Sequence, residues 1–308
     1  MTTSCQPDEI VEWSWIILTT GNRPTELERA VASIRRQTPP AHWGPRSEHE
    51  EIIVVLNGAP DAWVPPGCTS VVSATNLGIP GGRNRGAEFA RGECLFFLDD
   101  DASLVGDDFL VGLDRRFNGD HVNGDHSVDI VSCAIVDPDT GETQRRHVPR
   151  LRVGDPSESS EVTTFLGGAS GHRAEMFRAC GGLPANFFYA HEETDLAWAV
   201  LDRGGRIFYA GDLVVHHPAS VPSRHGGGLH RSARNRVWLA RRRLPQPLSS
   251  LYVVNWFVLS VLRCRDRVAL QALVSGTLEG LRNDPGERRR ISRRTIWRMC
   301  RLGRPPLL

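Results

Sequence analysis

Three adjacent carboxylates, Asp99, Asp100 and Asp101, follow the apolar run Cys94–Leu98 (CLFFL). Like charges this close repel one another unless a cation or hydrogen-bond donors balance them. A hard divalent ion with oxygen ligands would do so, and Mg2+ commonly bridges one or two carboxylates to phosphate. Solvated acids at a loop or helix start would account for the triplet equally well. A second acidic cluster, His191, Glu192, Glu193 and Asp195, precedes Leu196 and Trp198. The helix dipole favours acids in a first turn, but three exceed what capping needs. One could act as a general base, a role worth about 10²–10⁴-fold in rate. His216 and His217 follow a short apolar run. A neutral imidazole there could complete a carboxylate metal site or touch a phosphate. Residues 76–86 (NLGIPGGRNRG) combine glycines that permit close backbone approach with Arg83 and Arg85, whose guanidinium groups suit phosphate or sugar hydroxyls.

These groups need a scaffold, and the chain alternates in the way one requires. Trp13–Thr20 (WSWIILTT) reads as a buried strand. Pro24 opens a helix over Glu26–Arg36, with Leu27, Ala30, Val31 and Ile34 on one face. Glu51–Leu56 is a second strand, Thr69–Ser73 a weaker third and Cys94–Leu98 a fourth, with a helix over Gly81–Arg91. Alternating strands and helices imply the α/β class with a mostly parallel sheet. Ligands of such sheets bind beyond the carboxyl ends of the strands. That rule selects residues 19–23, Asn57, Asn76 and the aspartate triplet. Further on, Ile130–Val136 and Glu142–Val148 read as a hairpin around PDTG. Leu151–Glu161 reads as a mobile loop, Glu192–Arg203 as a helix stopped by Gly204-Gly205, and Ile207–Tyr209 and Leu213–Val215 as short strands. Ser220–Gly228 marks a boundary. Helices over Leu229–Arg243, Leu251–Leu262, Val268–Leu281 and Glu287–Arg301 follow it.

Two common nucleotide sites are excluded. The first strand is followed by TTGNRP, not GxGxxG, and a P-loop needs a lysine that this chain lacks. All 37 basic residues are arginine. They are segregated: Ser223–Leu308 holds 19 arginines and 4 acids, net +15, which leaves net −14 on residues 1–222. A basic C-terminal third implies an anionic partner, a membrane surface or nucleic acid. No recognised nucleic-acid fold supports the latter. No run of 18 apolar residues exists, which rules out a conventional membrane span. Met1–Glu12 lacks the order of a signal peptide. Seven scattered cysteines without a CxxC pair fit a reducing compartment. The expected location is cytoplasmic. The apolar Leu251–Leu262 and its flanking arginines could rest on the inner face of a membrane, or pack as a buried helix or a homodimer contact.

Taken in order, TTGNRP, VVLNGA, NLGIPGGRNRG, FLDDDA, FLGGAS, YAHEETDLA and VVHHPAS resemble the inverting glycosyltransferases of family 2, in a rhamnosyltransferase-like subgroup. The match spans Trp13 to about Ser220 and extends into RNRVWLARRRLP. The resemblance implies the GT-A fold: a catalytic domain over 1–222, with a nucleotide-sugar half at about 13–101 and an acceptor half at about 130–220, and a basic helical region over 223–308. It implies a metal-dependent hexosyl- or deoxyhexosyltransferase using a UDP- or dTDP-sugar, Mg2+ or Mn2+, and a sugar, lipid-linked or small-molecule acceptor. Thr19, Thr20, Arg23 and Asn57 would hold the base. Asn76, Gly78, Arg83, Asp99 and Asp100 would lie along ribose and diphosphate, and Gly168 near the sugar. Asp101 would meet the metal together with His217 or His216. Glu193, or its neighbour Glu192, would be the base, with Asp195 and Trp198 on the acceptor side. A nucleotidyltransferase would usually want a more basic first loop than TTGNRP. A non-catalytic nucleotide-sugar binder would not need Glu193 and Asp101.

Overall fold

The structure, a computed structural model, describes residues 11–118, 128–152, 154–218 and 227–307. Most of the boundary stretch expected over 220–228 lies outside the described residues.

Strand β1 (Trp13–Thr19) is apolar on both faces, and its alternation sorts the interior into two cores. Trp13, Trp15 and Ile17 face helices α1 (Pro24–Arg35) and α3 (Phe109–Asn118), while Ile16 faces the opposite layer. Period-two alternation of side chains along a strand requires this split. The opposite layer contains α2 (Gly78–Phe89) and α5 (Glu192–Asp202). Glycine lets α2 sit directly on β1: a Cβ at Gly82 would lie 2.3 Å from Leu18 Cδ1, and one at Gly86 2.4 Å from Ile16 Cγ2. Part of the glycine content of NLGIPGGRNRG therefore serves helix–strand packing.

The strands β2 (Glu50–Asn57), β3 (Thr69–Ser73), β4 (Cys94–Asp99), β5 (Ser103–Leu104), β6 (Ile130–Val136), β7 (Ser160–Glu161), β8 (Ala169–Arg173) and β9 (Ile207–His216) complete one nine-stranded sheet. Its order is β3-β2-β1-β4-β8-β6-β9-β5, with β7 on β9. The expected parallel arrangement occupies β3-β2-β1-β4. Strand β8 runs antiparallel to both β4 and β6, and β6 and β9 are parallel. Chain direction then brings the ends of β1, β2, β4, β6 and β9 and the start of β8 to a single edge.

Several expectations change. The hairpin over Glu142–Val148 does not form. Asp137 and Glu142 close the turn, with Asp137 N–H donating to the Glu142 carbonyl at 3.0 Å, but both edges of β6 are already paired with β8 and β9. The segment instead contains a 3-10 turn at Arg145–His147. The two short strands expected around Gly211 are one, β9, whose register against β6 jumps from Cys133↔Ala210 to Ala134↔Val214. The short helix α4 (Ala174–Ala179), α3 and the strands β5, β7 and β8 were not legible as periodic runs. The C-terminal helices are α6 (Gly228–Arg243), α7 (Leu248–Arg263), α8 (Arg267–Arg282) and α9 (Arg293–Arg301). The last starts later than Glu287 because Ser292 caps it, accepting from Thr295 N–H at 3.2 Å. Trp238, Leu239, Tyr252, Ile291 and Met299 join the same core as β1 and α5.

Candidate active site

The shared sheet edge gathers the acids. Asp99 ends β4, and its amide donates to the Gly168 carbonyl at 3.1 Å, across from the start of β8. His217 follows β9, its amide held by the Val136 carbonyl at 3.0 Å. Its Nε2 lies 3.2 Å from Asp101 Oδ1 and 3.5 Å from Asp99 Oδ2. Asp99, Asp101 and His217 each offer one ligand atom, all within 4.8 Å of one another. Two hard carboxylate oxygens and one imidazole suit Mg2+ or Mn2+, so the residues fit a divalent cation. Burial alone would lower His217, but its hydrogen bonds to Asp101 and Asp99 overcome this and push its pKa up to about 10. Burial likewise opposes ionisation of Asp99, yet Arg83 and His217 hold its carboxyl well below the usual range. His216 does not join the cluster. Neighbouring residues at a strand end point to opposite sides, and His216 pairs with Ser103 of β5. Glu12, His42 and Asp114 form the other such cluster among the described residues, but Glu12 lies at the amino end of β1, away from this edge.

Arg83 ties the two acidic groups together. It is buried, with Nη2 donating to Asp99 Oδ1 at 2.8 Å and Nη1 3.9 Å from Glu193 Oε1. Nη1 makes no hydrogen bond among the described residues. A buried donor left unmade is costly, so its position invites an anionic or hydroxylated ligand. Backbone alone floors this space. A Cβ at Gly168 would lie 2.3 Å from Asp99 Oδ2, and one at Gly167 2.3 Å from Arg83 Nη1 and 2.6 Å from Glu193 Oε1.

Glu192 and Glu193 open α5. Glu192 is 1% exposed, whereas the Glu193 side chain is 24% exposed and faces Arg83. Burial, then the charge of Glu193, pushes the Glu192 carboxyl well above its ordinary value. Burial also raises Glu193, opposed by the Arg83 cation. Burial therefore weighs most on Glu192, while Glu193 is the more exposed of the two and faces Arg83. The three residues Phe188, Ala190 and His191 just ahead of the pair all have positive φ, 64°, 70° and 70°. Such geometry in non-glycine residues costs about 1–3 kcal/mol each and persists only where the surroundings impose it. Asn235 of α6 imposes it. Fully buried, its Nδ2 donates to the carbonyls of Phe187, Tyr189 and Ala190 at 2.9, 2.7 and 3.0 Å. Arg234 also donates to the Phe187 carbonyl at 3.0 Å, and Ser232 Oγ contacts His191 Nε2 at 3.1 Å.

Several expected ligand contacts turn inward. Thr19 Oγ1 donates to Asp100 Oδ2 at 2.7 Å, and both residues are buried. Arg23 bridges Asp100 and Asp101 at 3.0 and 2.5 Å. The Thr19 and Asp100 side chains thus brace the loop ends against each other. Asn57 is spent on the next turn: Nδ2 donates to Asn76 Oδ1 and the Gly78 carbonyl, and Oδ1 accepts from Leu77 N–H at 2.8 Å. Thr20 and Asn76 remain exposed. Gly78, φ +73°, is buried under Phe188. Asp195 and Trp198 are not on an acceptor surface. The Asp195 side chain is fully buried and paired with Arg242 and Arg243 at 2.9 and 2.5 Å, and Trp198 packs against Tyr252.

Sequence reasoning missed Asn235, Tyr189 and His147. Tyr189 lies close enough to both glutamates that burial and their charges raise its pKa. The His147 ring stands edge-on to His217 with centroids 6.2 Å apart. Burial and then Arg146 lower it to about 4, leaving a neutral imidazole over the cluster. Only RNRVW, already part of the recognised pattern, signalled Asn235.

The family profile described as Glycosyl transferase family 2 matches residues 15–182, more than half of the chain. Glu192, Glu193 and His217 lie beyond that segment. No curated protein matches in sequence. Among solved structures, the chain resembles GalNAc-T7 with UDP, GalNAc and Mn2+ (TM-score 0.58, 14% identity, 88% of this chain and 55% of that chain). It also resembles Staphylococcus aureus TarS 1–349 in complex with UDP-GlcNAc (0.57, 12%, 86% of this chain and 79% of that fragment) and mannosyltransferase PcManGT from Pyrobaculum calidifontis with GDP-Man and Mn2+ (0.53, 18%, 98% and 87%). At these identities the likeness is one of fold. The chain spans about half the length of the GalNAc-T7 chain.

Proposed function

This chain belongs to glycosyl transferase family 2, and on that premise we propose that it transfers a sugar from a nucleoside diphosphate donor to an acceptor hydroxyl with inversion. The observation that carries the reading is Arg83, whose buried and partly unsatisfied guanidinium joins the Asp99, Asp101 and His217 cluster to Glu193. Residues up to 222 form the catalytic domain in this reading, with α6 of the 223–308 region buttressing its base.

Asp99, Asp101 and His217 would hold Mg2+ or Mn2+. When bound, the ion neutralises charge on the leaving diphosphate as a Lewis acid. Arg83 Nη1 is placed to donate to donor oxygens. Thr20 and Asn76, both exposed at this edge, are suited to the base and ribose of a UDP- or dTDP-sugar. Gly167 and Gly168 leave room for the sugar ring. Glu193 takes the proton of the acceptor hydroxyl. The freed oxygen attacks the anomeric carbon opposite the diphosphate, one C–O bond forms as the other breaks, and the nucleoside diphosphate departs with that bond's electron pair. A single base suffices for this displacement. Glu192 lies buried beside it, where burial opposes a second negative charge.

The test is nucleoside diphosphate release from UDP- and dTDP-sugars, with Mn2+ and a panel of sugar, lipid-linked and small-molecule acceptors. Acceptor-dependent release by the parent and its near absence in Glu193→Gln are expected. No release from any donor, or full activity in Glu193→Gln, contradicts the reading.

A further inference from the structure

We infer that the α7–α8 hairpin is a docking surface for an anionic lipid bilayer. Nine of the sixteen large hydrophobic residues exposed among the described residues lie in these two helices. On α7 they are Leu251, Val254, Val258 and Leu262, spaced by three, four and four residues, which is one helical face. On α8 the row is Leu270, Val274, Leu278 and Leu281, again on one face. The other faces are already used. Tyr252 of α7 packs on Trp198, and Leu273, Gly276 and Gly280 of α8 sit against α6, where a Cβ at Gly276 would meet the His230 carbonyl at 2.1 Å. The apolar rows therefore point away from the body. Patches of this extent on soluble chains mark protein or membrane contacts.

Charge selects the lipid. The helices are joined by Cys264, Arg265 and Asp266, so Arg263, Arg265 and Arg267 cluster at the tip between Leu262 and Val268, which are 77% and 76% exposed. Residues 248–282 contain two acids. Asp266 caps α8 by accepting from Ala269 N–H at 2.7 Å, and Glu279 turns to α6, bonded to His230 at 2.5 Å and Arg234 at 3.2 Å. A second copy on this face would bring its own tip arginines into the contact, whereas an anionic leaflet neutralises them. The net −14 of residues 1–222 would keep the sheet-bearing body off such a leaflet. No described helix is long and apolar enough to cross a membrane, so docking is peripheral, with apolar side chains at the headgroup level. Taken with the transferase reading, on which this last step rests, the surface favours a lipid-linked acceptor.

Flotation of the full chain with phosphatidylcholine vesicles, with and without phosphatidylglycerol, tests this directly. Binding to the anionic vesicles alone, weakened by salt, is expected. Replacing Arg263, Arg265 and Arg267 together by glutamine should lower it by about 100-fold, given the contribution of each basic side chain near an anionic leaflet. Leu262→Glu with Val268→Glu should abolish it while leaving the melting temperature unchanged. No flotation, equal flotation with neutral vesicles, or flotation unchanged in both variants overturns the proposal. So does a parent dimer that becomes monomeric in the Leu262→Glu variant and does not float. Flotation needs no donor sugar, so its failure leaves the transferase reading intact, and failure of transfer leaves the surface assignment intact.

Discussion

The Asn235 side chain lies 2.7 Å from the carbonyl oxygen of Tyr189, and the same amide also reaches the carbonyls of Phe187 and Ala190. A buried residue of α6 thus holds the strained segment from which Glu192 and Glu193 emerge. Asn235→Ala takes the donor from the Tyr189 and Ala190 carbonyls, while the Phe187 carbonyl keeps Arg234. It should destabilise the protein by about 1–3 kcal/mol and lower kcat at donor saturation, while donor affinity is kept. Urea unfolding and steady-state kinetics check both. Donor affinity falling in step with kcat would mean that Asn235 supports the whole edge and not the base in particular.

Glu193 should set the acid side of the pH–rate profile. Burial raises its pKa, so the active carboxylate is gained only as pH rises through a value above the ordinary glutamate range. Arg83 opposes that rise, so Arg83→Gln should move the acid limb of kcat/KM to higher pH, whatever it does to the absolute rate. Glu193→Gln should lose about 10²–10⁴-fold in kcat. For stability the sign is opposite: a raised carboxyl favours the folded state at low pH and loses that contribution as pH rises through the folded value. Glu192→Gln, which keeps a neutral group in place, should therefore flatten the alkaline loss of stability seen by denaturant titration at several pH values.

Gly168→Ala would place a methyl group 2.3 Å from Asp99 Oδ2. Asp99 must then leave its position beside His217. Mn2+ affinity should fall at least about tenfold, a loss of about 1.4 kcal/mol, with little change in melting temperature. Metal titration followed by tryptophan fluorescence checks this.

Asp195→Asn leaves Arg242 and Arg243 without their buried counter-charge. Removing one partner of a buried pair costs about 3–5 kcal/mol. The urea midpoint should drop accordingly, and the fraction that stays folded should still bind nucleotide.

The gathering of the acidic motifs at one edge was legible because they sit at element ends. FLDDDA, HEETD and HHP each follow an apolar run or open a helix, and the topology had only to bring them together. What each side chain does within that edge was not legible. Asp100, Thr19, Asn57 and Asp195 share their residue types with ligand-binding groups, and only their buried partners reveal them as braces. The 142–148 segment followed a turn signal, but β6 had no free edge to pair with. Asn235 lies more than forty residues from the glutamates it supports, a distance no local pattern spans. Strand β8 was missed because ASGHR is short, central and weakly apolar.

The most direct test of a metal-dependent nucleotide-sugar site is calorimetric titration with UDP and with dTDP, each with and without Mn2+, on the parent and on Asp101→Asn. The account predicts Mn2+-dependent binding of one nucleotide by the parent and its loss in the variant. Binding that ignores Mn2+, or that survives Asp101→Asn unchanged, would contradict it.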